Sequence, residues 1–337
     1  MMNNKVALNK IDFLAVGDIT TDVFIKLKDF NVHCNLDNQN CEICLKYGDK
    51  VPFENTYTLH AVGNSPNAAV AASKIGLSSV LISSIGNDEN GRDCLFELSK
   101  KNVDTSYMVI YSNINTNLHY VLWYPPERTI LLKHNDFEYS IPQNLPPVDY
   151  LYLSSVGAKN EKIHNDIVEY KKNNTNTKIV FQPGTFQILL GKDRLSELYK
   201  NTEIFVCNLE EAKRILLTEK EDPIELLDML SELGPKISII TNGPNGAYAS
   251  NKEKKYFIPI YPDPKPPYER TGCGDSFTST FVGFTILGMS FEDALIRSPI
   301  NPMSVVQYVG AQEGLLSVDQ IEKYLKEAPE NYKLSEI

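Results

Sequence analysis

Residues 269–277 read ERTGCGDSF. Two glycines flank Cys273, Asp275 follows at once, and the apolar stretch Phe277 to Phe291 comes next. Two readings fit this pattern. In one, the glycines make a turn and Asp275 is a simple helix cap. In the other, the backbone N–H groups of Gly272, Cys273 and Gly274 form an anion site with an acid beside it. Unpaired donors at a helix start and the helix dipole both favour negative charge, and glycine lets a ligand approach the backbone. The stretch alone does not choose between them.

Composition narrows the field. The chain has 337 residues, 42% of them hydrophobic, and a net charge of −10. That length suits one large or two smaller domains with a substantial core. The acidic balance excludes a nucleic-acid protein with a broad basic face, but not a local anion site. Phe277–Phe291 is interrupted by Ser, Thr and Gly and is too short to span a bilayer. The start, MMNNKVALNK, lacks the apolar core of a signal peptide. A cytoplasmic protein without nucleic-acid or membrane partners is expected, and its six cysteines are expected as thiols.

The apolar pattern alternates between strand and helix for most of the chain. Strands are expected at 11–17, 79–85, 150–154, 178–181, 204–207 and 236–241, with helices at 67–75, 89–101, 161–172, 210–217, 224–233 and 275–287. Such alternation gives a mainly parallel sheet covered on both faces. A hairpin is expected at 248–259, and helices at 303–310 and 317–327, the last with a capping box from Ser317 to Gln320. Strands without intervening helices at 107–111, 117–124 and 129–133 suggest a small antiparallel sheet. The strand-rich pieces at about 20–62 and 105–135 are expected to combine as a lid on a single α/β domain. Residues 29–52 read as a polar, Cys-containing insertion.

Other short motifs add candidates. Asn208 ends a strand and Glu211 lies one turn into the next helix. An amide and a carboxylate there suit Mg²⁺ held through water, or an N-cap with an acidic first turn. TNGPNG, with Thr241, Gly243 and Gly246, wraps a nucleotide or turns a hairpin. Asp22, Gly63, Asn64 and Asn67 sit in GDITTD and AVGNSPNAA, where Asp and Asn serve ligand hydroxyls, turns or caps equally well.

In this order, from about Asp12 to about Leu316, these pieces resemble the ribokinase/pfkB family of small-molecule kinases. TGCGD (271–275) resembles the family's DTTGAGD signature, Gly63–Asn67 its GGxxxN, NLEE (208–211) its NxxE, TNGPNG its nucleotide loop, and Asp22 its early substrate-binding Asp. The resemblance implies a ribokinase-like three-layer α/β/α fold with a small β lid, and transfer of the γ-phosphoryl group of ATP to a hydroxyl of a sugar or sugar-containing molecule. It implies Asp275 as general base and Gly272, Cys273 and Gly274 as anion hole. Asp22, Gly63, Asn64 and Asn67 would hold the acceptor. Thr241, Gly243, Gly246 and Asn208 would hold the nucleotide, with Asn301 near the adenine, and Glu211 and Asn208 would hold Mg²⁺. A carboxylate at a helix N-terminus has its charged form favoured, so Asp275 is expected to be a weak base.

Several positions depart from the family pattern. Glu269 and Arg270 replace the Asp-Thr that helps bind a monovalent cation in relatives, which leaves K⁺ dependence in doubt. Val62 stands where the first of paired glycines is expected. Asn64 stands where phosphosugar kinases commonly carry Lys, which argues against a phosphorylated acceptor. YLSSVGA (152–158) offers no acid where ribokinase itself has one. The alternatives are a nucleoside kinase of the same family, or a sensor that binds sugar or nucleotide without transfer. No GxGxxG, GxxxxGK[ST], HRD or DFG motif is present.

The remaining features have two readings each. Arg128 reaches the acceptor or phosphate from the lid, or is a solvated hairpin charge. Trp123, Tyr120 and Tyr124 stack on a base or sugar, or are half-buried strand residues. Asn301 before Pro302 reads as N-cap and N1. His33, Cys34, Cys41 and Cys44 bind Zn²⁺, or are ordinary side chains of the insertion. Cys94 and Cys207 fall in core patterns. A lid with an open edge offers a route to a homodimer.

Overall fold

The computed structural model describes residues 9–28, 31–33, 42–124 and 127–337. A nine-stranded sheet runs through it in the order 335–336, 255–258, 247–250, 237–241, 202–208, 178–181, 148–153, 11–16 and 79–82. The six strands from Ser79–Ile82 to Ile237–Thr241 are parallel. The remaining three, joined by short connections or added from the C-terminus, are antiparallel.

The parallel strands bury both faces, and their sequence shows how. Phe13 and Ala15, Tyr150 and Tyr152, Ile204 and Val206 point into one core layer. Their neighbours Leu14 and Val16, Leu151 and Leu153, Phe205 and Cys207 point into the other. This is the two-residue period of a strand with no polar face to spare. The first layer is closed by helices Asn64–Lys74, Glu89–Lys100, Cys273–Ile286, Phe291–Arg297, Ile300–Val305 and Val318–Lys326. The second is closed by Lys162–Asn173, Thr185–Leu190, Ser196–Lys200, Leu209–Leu216 and Pro223–Glu232. The result is the expected three-layer α/β/α arrangement. Cys94 and Cys207 are core residues, as their patterns suggested.

The helix Cys273–Ile286 is buried from Asp275 through Phe284. It carries Thr278, Ser279 and Thr280 there because each hydroxyl donates to the carbonyl four residues back. No buried hydroxyl in that run is left unpaired, which lets the helix be buried without an orphaned donor. The capping box at the last helix is present, with Ser317 N–H donating to Gln320 Oε1 and Gln320 N–H to Ser317 Oγ.

The lid is a four-stranded sheet in the order 127–131, 117–124, 20–27, 53–62. It differs from the expected antiparallel sheet, because its central pair, Thr20–Leu27 and Asn117–Tyr124, is parallel. The strand expected at 107–111 lies outside it, with Val109–Tyr111 pairing with Ser84–Gly86. Trp123, Phe24 and Val121 form the lid's own core, and Trp123 is fully buried against Phe24, Tyr57 and Tyr268. Trp123 therefore packs the lid and presents no face to a ligand, while Tyr120 lies half exposed outside the cleft. In the insertion, Asn31–His33 pairs with Glu42–Cys44. Cys34 and Cys41 lie outside the described residues, and among the described residues no group of three His, Cys, Asp or Glu side chains is placed to hold a metal ion. Among the described residues no helix is long and apolar enough to cross a membrane.

Candidate active site

A cleft of about 870 Å³ opens at the carboxyl ends of the parallel strands and is roofed by the inner face of the lid. Open α/β sheets place ligands at that edge. Gly17, Gln182, Asn208 and Thr241 stand at or just beyond the ends of four parallel strands.

Asp275 is at the centre. It occupies the first turn of the helix Cys273–Ile286 but does not cap it, since Gly272 is the N-cap. Three amides hold its carboxylate. Asn64 Nδ2 (2.8 Å) and Gln182 Nε2 (3.0 Å) donate to Oδ1, and Asn67 Nδ2 (2.8 Å) donates to Oδ2. Asn67 is in turn oriented by Gln312 Nε2, which donates to its Oδ1 at 2.9 Å. The residue is 6% exposed. Burial pushes its pKa above the ordinary carboxylate value, against the pull of the three amide donors. The helix terminus led to the opposite expectation, and desolvation outweighs it.

The turn before this helix requires its glycine. Gly272 has φ of +83°, and a Cβ there would lie 2.3 Å from Ala311 Cβ. A Cβ at Gly274 would meet only Gln182 Nε2, at 3.6 Å. The N–H groups at the start of a helix have no acceptor within it, and Gly272, Cys273 and Gly274 line the cleft. Burial pushes the Cys273 thiol up to about 12, so it is neutral there.

Asn208 and Glu211 form a reciprocal cap at the next strand end. Asn208 Oδ1 accepts from Glu211 N–H, and Glu211 Oε2 accepts from Asn208 N–H. Both also line the cleft, so cap and cleft group are one structure. Burial raises the Glu211 pKa, and the Asp275 charge adds to the rise. Thr241, paired in register with Asn208, and Gly243 and Gly246 line the same end.

Asn301 departs from expectation. The helix starts at Ile300, with Pro299 already in helical conformation, so Asn301 is inside it and not its cap. It is fully buried, donates to Thr280 Oγ1 and accepts from Leu316 N–H. Both polar ends are taken, and its side chain does not line the cleft. Pro299, Pro302, Met303 and Val306 of that segment line it instead.

At the lid-facing end of the cleft, Asp22 is 9% exposed and lies 3.1 Å from Nδ1 of His119, its register partner on the neighbouring lid strand. Gly63 and Arg128 line the cleft as well. Arg128 Nη1 is 3.4 Å from Glu269 Oε1. Glu269 is 1% exposed and also accepts from Thr271 N–H, Thr271 Oγ1 and Gly310 N–H. Arg270 pairs with Glu127 of the same lid strand at 3.3 Å. Glu269 and Arg270, two of the positions that depart from the resembled pattern, thus tie the lid to the glycine turn.

Sequence reasoning missed Gln182, Gln312, Asp18, His119 and His134. Gln182 follows strand 178–181 directly, a position that marks a cleft group once that strand is known to be parallel. Asp18 lies within GDITTD just beyond the strand Ile11–Val16, the same kind of position, whereas Gln312, His119 and His134 carry no local motif.

The chain matches the family model described as pfkB family carbohydrate kinase over residues 27–317. It is 24% identical over 334 residues to an ATP-dependent 6-phosphofructokinase of Thermoanaerobacterium thermosaccharolyticum, covering 95% of this chain and 96% of that one. It is 24% identical over 274 residues to a nucleoside kinase of Methanocaldococcus jannaschii, covering 78% and 85%. The solved structure of Arabidopsis thaliana ribokinase complexed with ribose and ATP aligns with a TM-score of 0.77 at 18% identity, covering 94% of this chain and 99% of that one, which shows a shared fold.

Proposed function

Since the chain belongs to the pfkB family of carbohydrate kinases, and so is a small-molecule kinase, we propose that it moves the γ-phosphoryl group of ATP to a hydroxyl of a sugar or sugar-containing acceptor, with Asp275 as general base. One observation carries this reading. Asp275 is a buried carboxylate held by three amides at the cleft, at the start of a buried helix.

In this mechanism the acceptor hydroxyl lies against Asp275, which orients it and takes its proton late. Phosphoryl transfer has a loose transition state and needs little early deprotonation. The raised pKa of Asp275 strengthens it as a base. Backbone N–H groups of Gly272, Cys273 and Gly274 receive the charge on the transferred oxygens. Asn64 and Asn67, whose amides are engaged by Asp275, position the base, and Asp22 and Gly63 face the acceptor.

Thr241, Gly243 and Gly246 flank the nucleotide, and Pro302, Met303 and Val306 take the adenine-side role first expected of Asn301. Glu211 fits a water-mediated Mg²⁺ site. Its Oε2 is bound to Asn208 N–H, and its Oε1 is left for water, whereas Asn208 offers an N–H₂ donor and serves as cap. Mg²⁺, when bound with the nucleotide, neutralises charge on the β- and γ-phosphates. Arg128 keeps positive charge beside Glu269, and K⁺ is left out of the scheme on that ground. The reaction is placed in the cytoplasm, where Mg-ATP is supplied. A second copy would pair through the lid, whose outer strands leave Phe53 and Leu131 more than half exposed; sedimentation velocity tests it.

The test of the reaction is ADP release from Mg-ATP across a panel of sugars and nucleosides. Acceptor-dependent release is expected. Tight acceptor binding with no release at any pH would make the protein a sensor and remove the kinase mechanism.

A further inference from the structure

Two Glu-Arg dipeptides meet where the lid touches the body. Arg128 of the lid strand Glu127–Leu131 lies against Glu269, and Glu127 of the same strand against Arg270. Tyr268, one residue earlier, packs edge-on against the buried lid residue Trp123, with ring centroids 5.0 Å apart. Residues 268, 269 and 270 thus each touch the lid, and the next three, Thr271, Gly272 and Cys273, make the glycine turn.

The two ion pairs differ in their surroundings. The Arg270 and Glu127 side chains are 51% and 59% exposed, where an ion pair contributes little. The Glu269 side chain is fully buried. Its Oε1 accepts from Thr271 N–H at 2.9 Å and from Thr271 Oγ1 at 2.6 Å, and its Oε2 from Gly310 N–H at 3.3 Å. Neutral donors hold a buried carboxylate without cancelling its charge, and a buried charge stripped of its counter-ion is strongly destabilising. Among the described residues Arg128 is the one cationic group in ion-pair contact with Glu269. Arg128 Nε is buried with no hydrogen-bond partner, so the charge on Glu269 is what holds this side chain.

Further contacts lead from Glu269 back to the lid. Gly310 packs so closely on Leu59, of the lid strand Phe53–Val62, that a Cβ there would lie 2.2 Å from Leu59 Cδ1. The next residue, Ala311, packs as closely on Gly272. Tyr268 N–H and Glu269 N–H both donate to the Val306 carbonyl, and Val306 lines the cleft. Segments 268–272 and 306–311 therefore form one body, with the lid on one side and the turn on the other, and Glu269 is its buried charge.

We infer that Arg128 and Glu269 are positioning residues through which the seated lid sets the glycine turn. Lifting the lid takes the guanidinium from a buried carboxylate. That carboxylate holds the Thr271 N–H, next to the donors that the kinase reading gives to the transferred oxygens, so transfer is competent only with the lid seated. The catalytic consequence rests on the kinase reading, and the coupling of lid to turn does not.

Hydrogen exchange read by mass spectrometry tests the coupling without any substrate. Arg128→Met removes the charge and keeps an apolar chain. Amides in 269–276 and 308–311 should exchange about tenfold faster in it than in the wild type, with strand 178–181 unmoved, because opening is local. Unchanged exchange over 269–276 overturns the inference. Faster exchange throughout the chain would mean that Arg128 serves the fold alone, and overturns it too.

ADP release gives the catalytic readout. Arg128→Met should lower kcat about 10- to 100-fold, the scale of a slight misplacement, with a smaller change in the acceptor KM. A raised acceptor KM at unchanged kcat would place Arg128 on the acceptor and overturn its role at the turn. Arg128→Lys should recover most of kcat, since a single contact at 3.4 Å asks for charge and not for a planar fork. Arg128→Met combined with Glu269→Gln should turn over faster than Arg128→Met alone, because the introduced amide still offers Thr271 an oxygen and leaves no bare charge. A Lys variant or a double variant no better than Arg128→Met overturns the charge pairing. Glu127→Gln, in the exposed pair, is the control and should keep kcat within about twofold; a loss equal to that of Arg128→Met overturns the special place of the buried pair. If no acceptor releases ADP in the wild type, the kinase reading is the one in difficulty, and the exchange experiment still decides the coupling.

Discussion

At the glycine-turn end of the cleft the groups in question lie within Thr271–Asp275, whereas at the lid-facing end Asp18, Asp22, His119 and His134 are brought together from well-separated parts of the chain. The first end is set by local backbone. A glycine in left-handed conformation starts a helix, and the helix start aims N–H groups and Asp275 in the same direction. The second end is set by register, since His119 faces Asp22 only because two lid strands pair in parallel at that step. A local device tolerates change elsewhere in the fold. A register device depends on the lid being seated, and the two ends should therefore fail differently when mutated.

The largest expected failure is at Asp275. Asp275→Asn should lower kcat at least ~100-fold, the lower range of general-base contributions. The substitution also sets one amide N–H₂ against another. If the introduced amide keeps its oxygen toward Asn64 and Gln182, its nitrogen faces Asn67, whose own oxygen is held by Gln312. Steady-state kinetics with circular dichroism checks it, and near-normal turnover in a folded variant removes Asp275 from the mechanism.

Next comes the glycine pair. Gly272→Ala puts a Cβ 2.3 Å from Ala311 Cβ on a backbone with φ of +83°. Overpacking of that kind costs about 1–3 kcal/mol, and the left-handed backbone adds about 1–2 kcal/mol. Urea unfolding should show the loss. Gly274→Ala meets only an ordinary contact with Gln182, so stability should hold within about 1 kcal/mol while turnover falls. Equal destabilisation by the two would break the distinction between a turn glycine and an approach glycine.

Much of this architecture is legible in the sequence, and the illegible parts have physical causes. Strand 178–181 and the helices near 89–100 and 223–232 follow from apolar period and turn residues. The parallel lid pair does not, because period says which face a residue takes and nothing about which strand lies beside it. Asn301 misleads for a different reason. Asn-Pro reads locally as a cap, but the chain is already helical at Pro299, and hydrogen bonds to Thr280 and Leu316 hold Asn301 in place. At Asp275 the sequence shows the helix start and not the burial, so the direction of its pKa shift is read with the wrong sign. Side chains that serve other side chains, such as Gln312, carry no pattern at all.

The pH profile sharpens the glycine-turn end further. The pKa of Asp275 is raised by burial and drawn down by its amide donors. Catalysis needs the ionised form, so kcat/KM should fall as pH drops through a value above the ordinary ~3.9 of an aspartate. Asn64→Ala removes a donor that favours the charged form, so the acid limb should move to higher pH. A limb that stays or moves lower would mean that Asp275 is not the group titrating.

The smallest effect tests whether orientation passes through a second side chain. Gln312 Nε2 donates to Asn67 Oδ1 and to the Ala61 carbonyl, and its Oε1 accepts from Lys101 Nζ. Without it, the Asn67 amide is free to turn, and the N–H₂ that serves Asp275 Oδ2 is there only part of the time. Gln312→Ala should lower kcat/KM a few-fold, about 3-fold for the loss of one neutral hydrogen bond's worth of bias. Asn67→Ala removes the same link directly, so adding Gln312→Ala to it should cost little more, and the double-mutant cycle should show coupling close to the whole Gln312 effect. Lys101→Ala leaves both donors to Asn67 and Ala61 in place and serves as the control, with turnover unchanged. Additive losses in the cycle would mean that Gln312 acts on the fold and not through Asn67, and the base would then be oriented by Asn64, Asn67 and Gln182 alone.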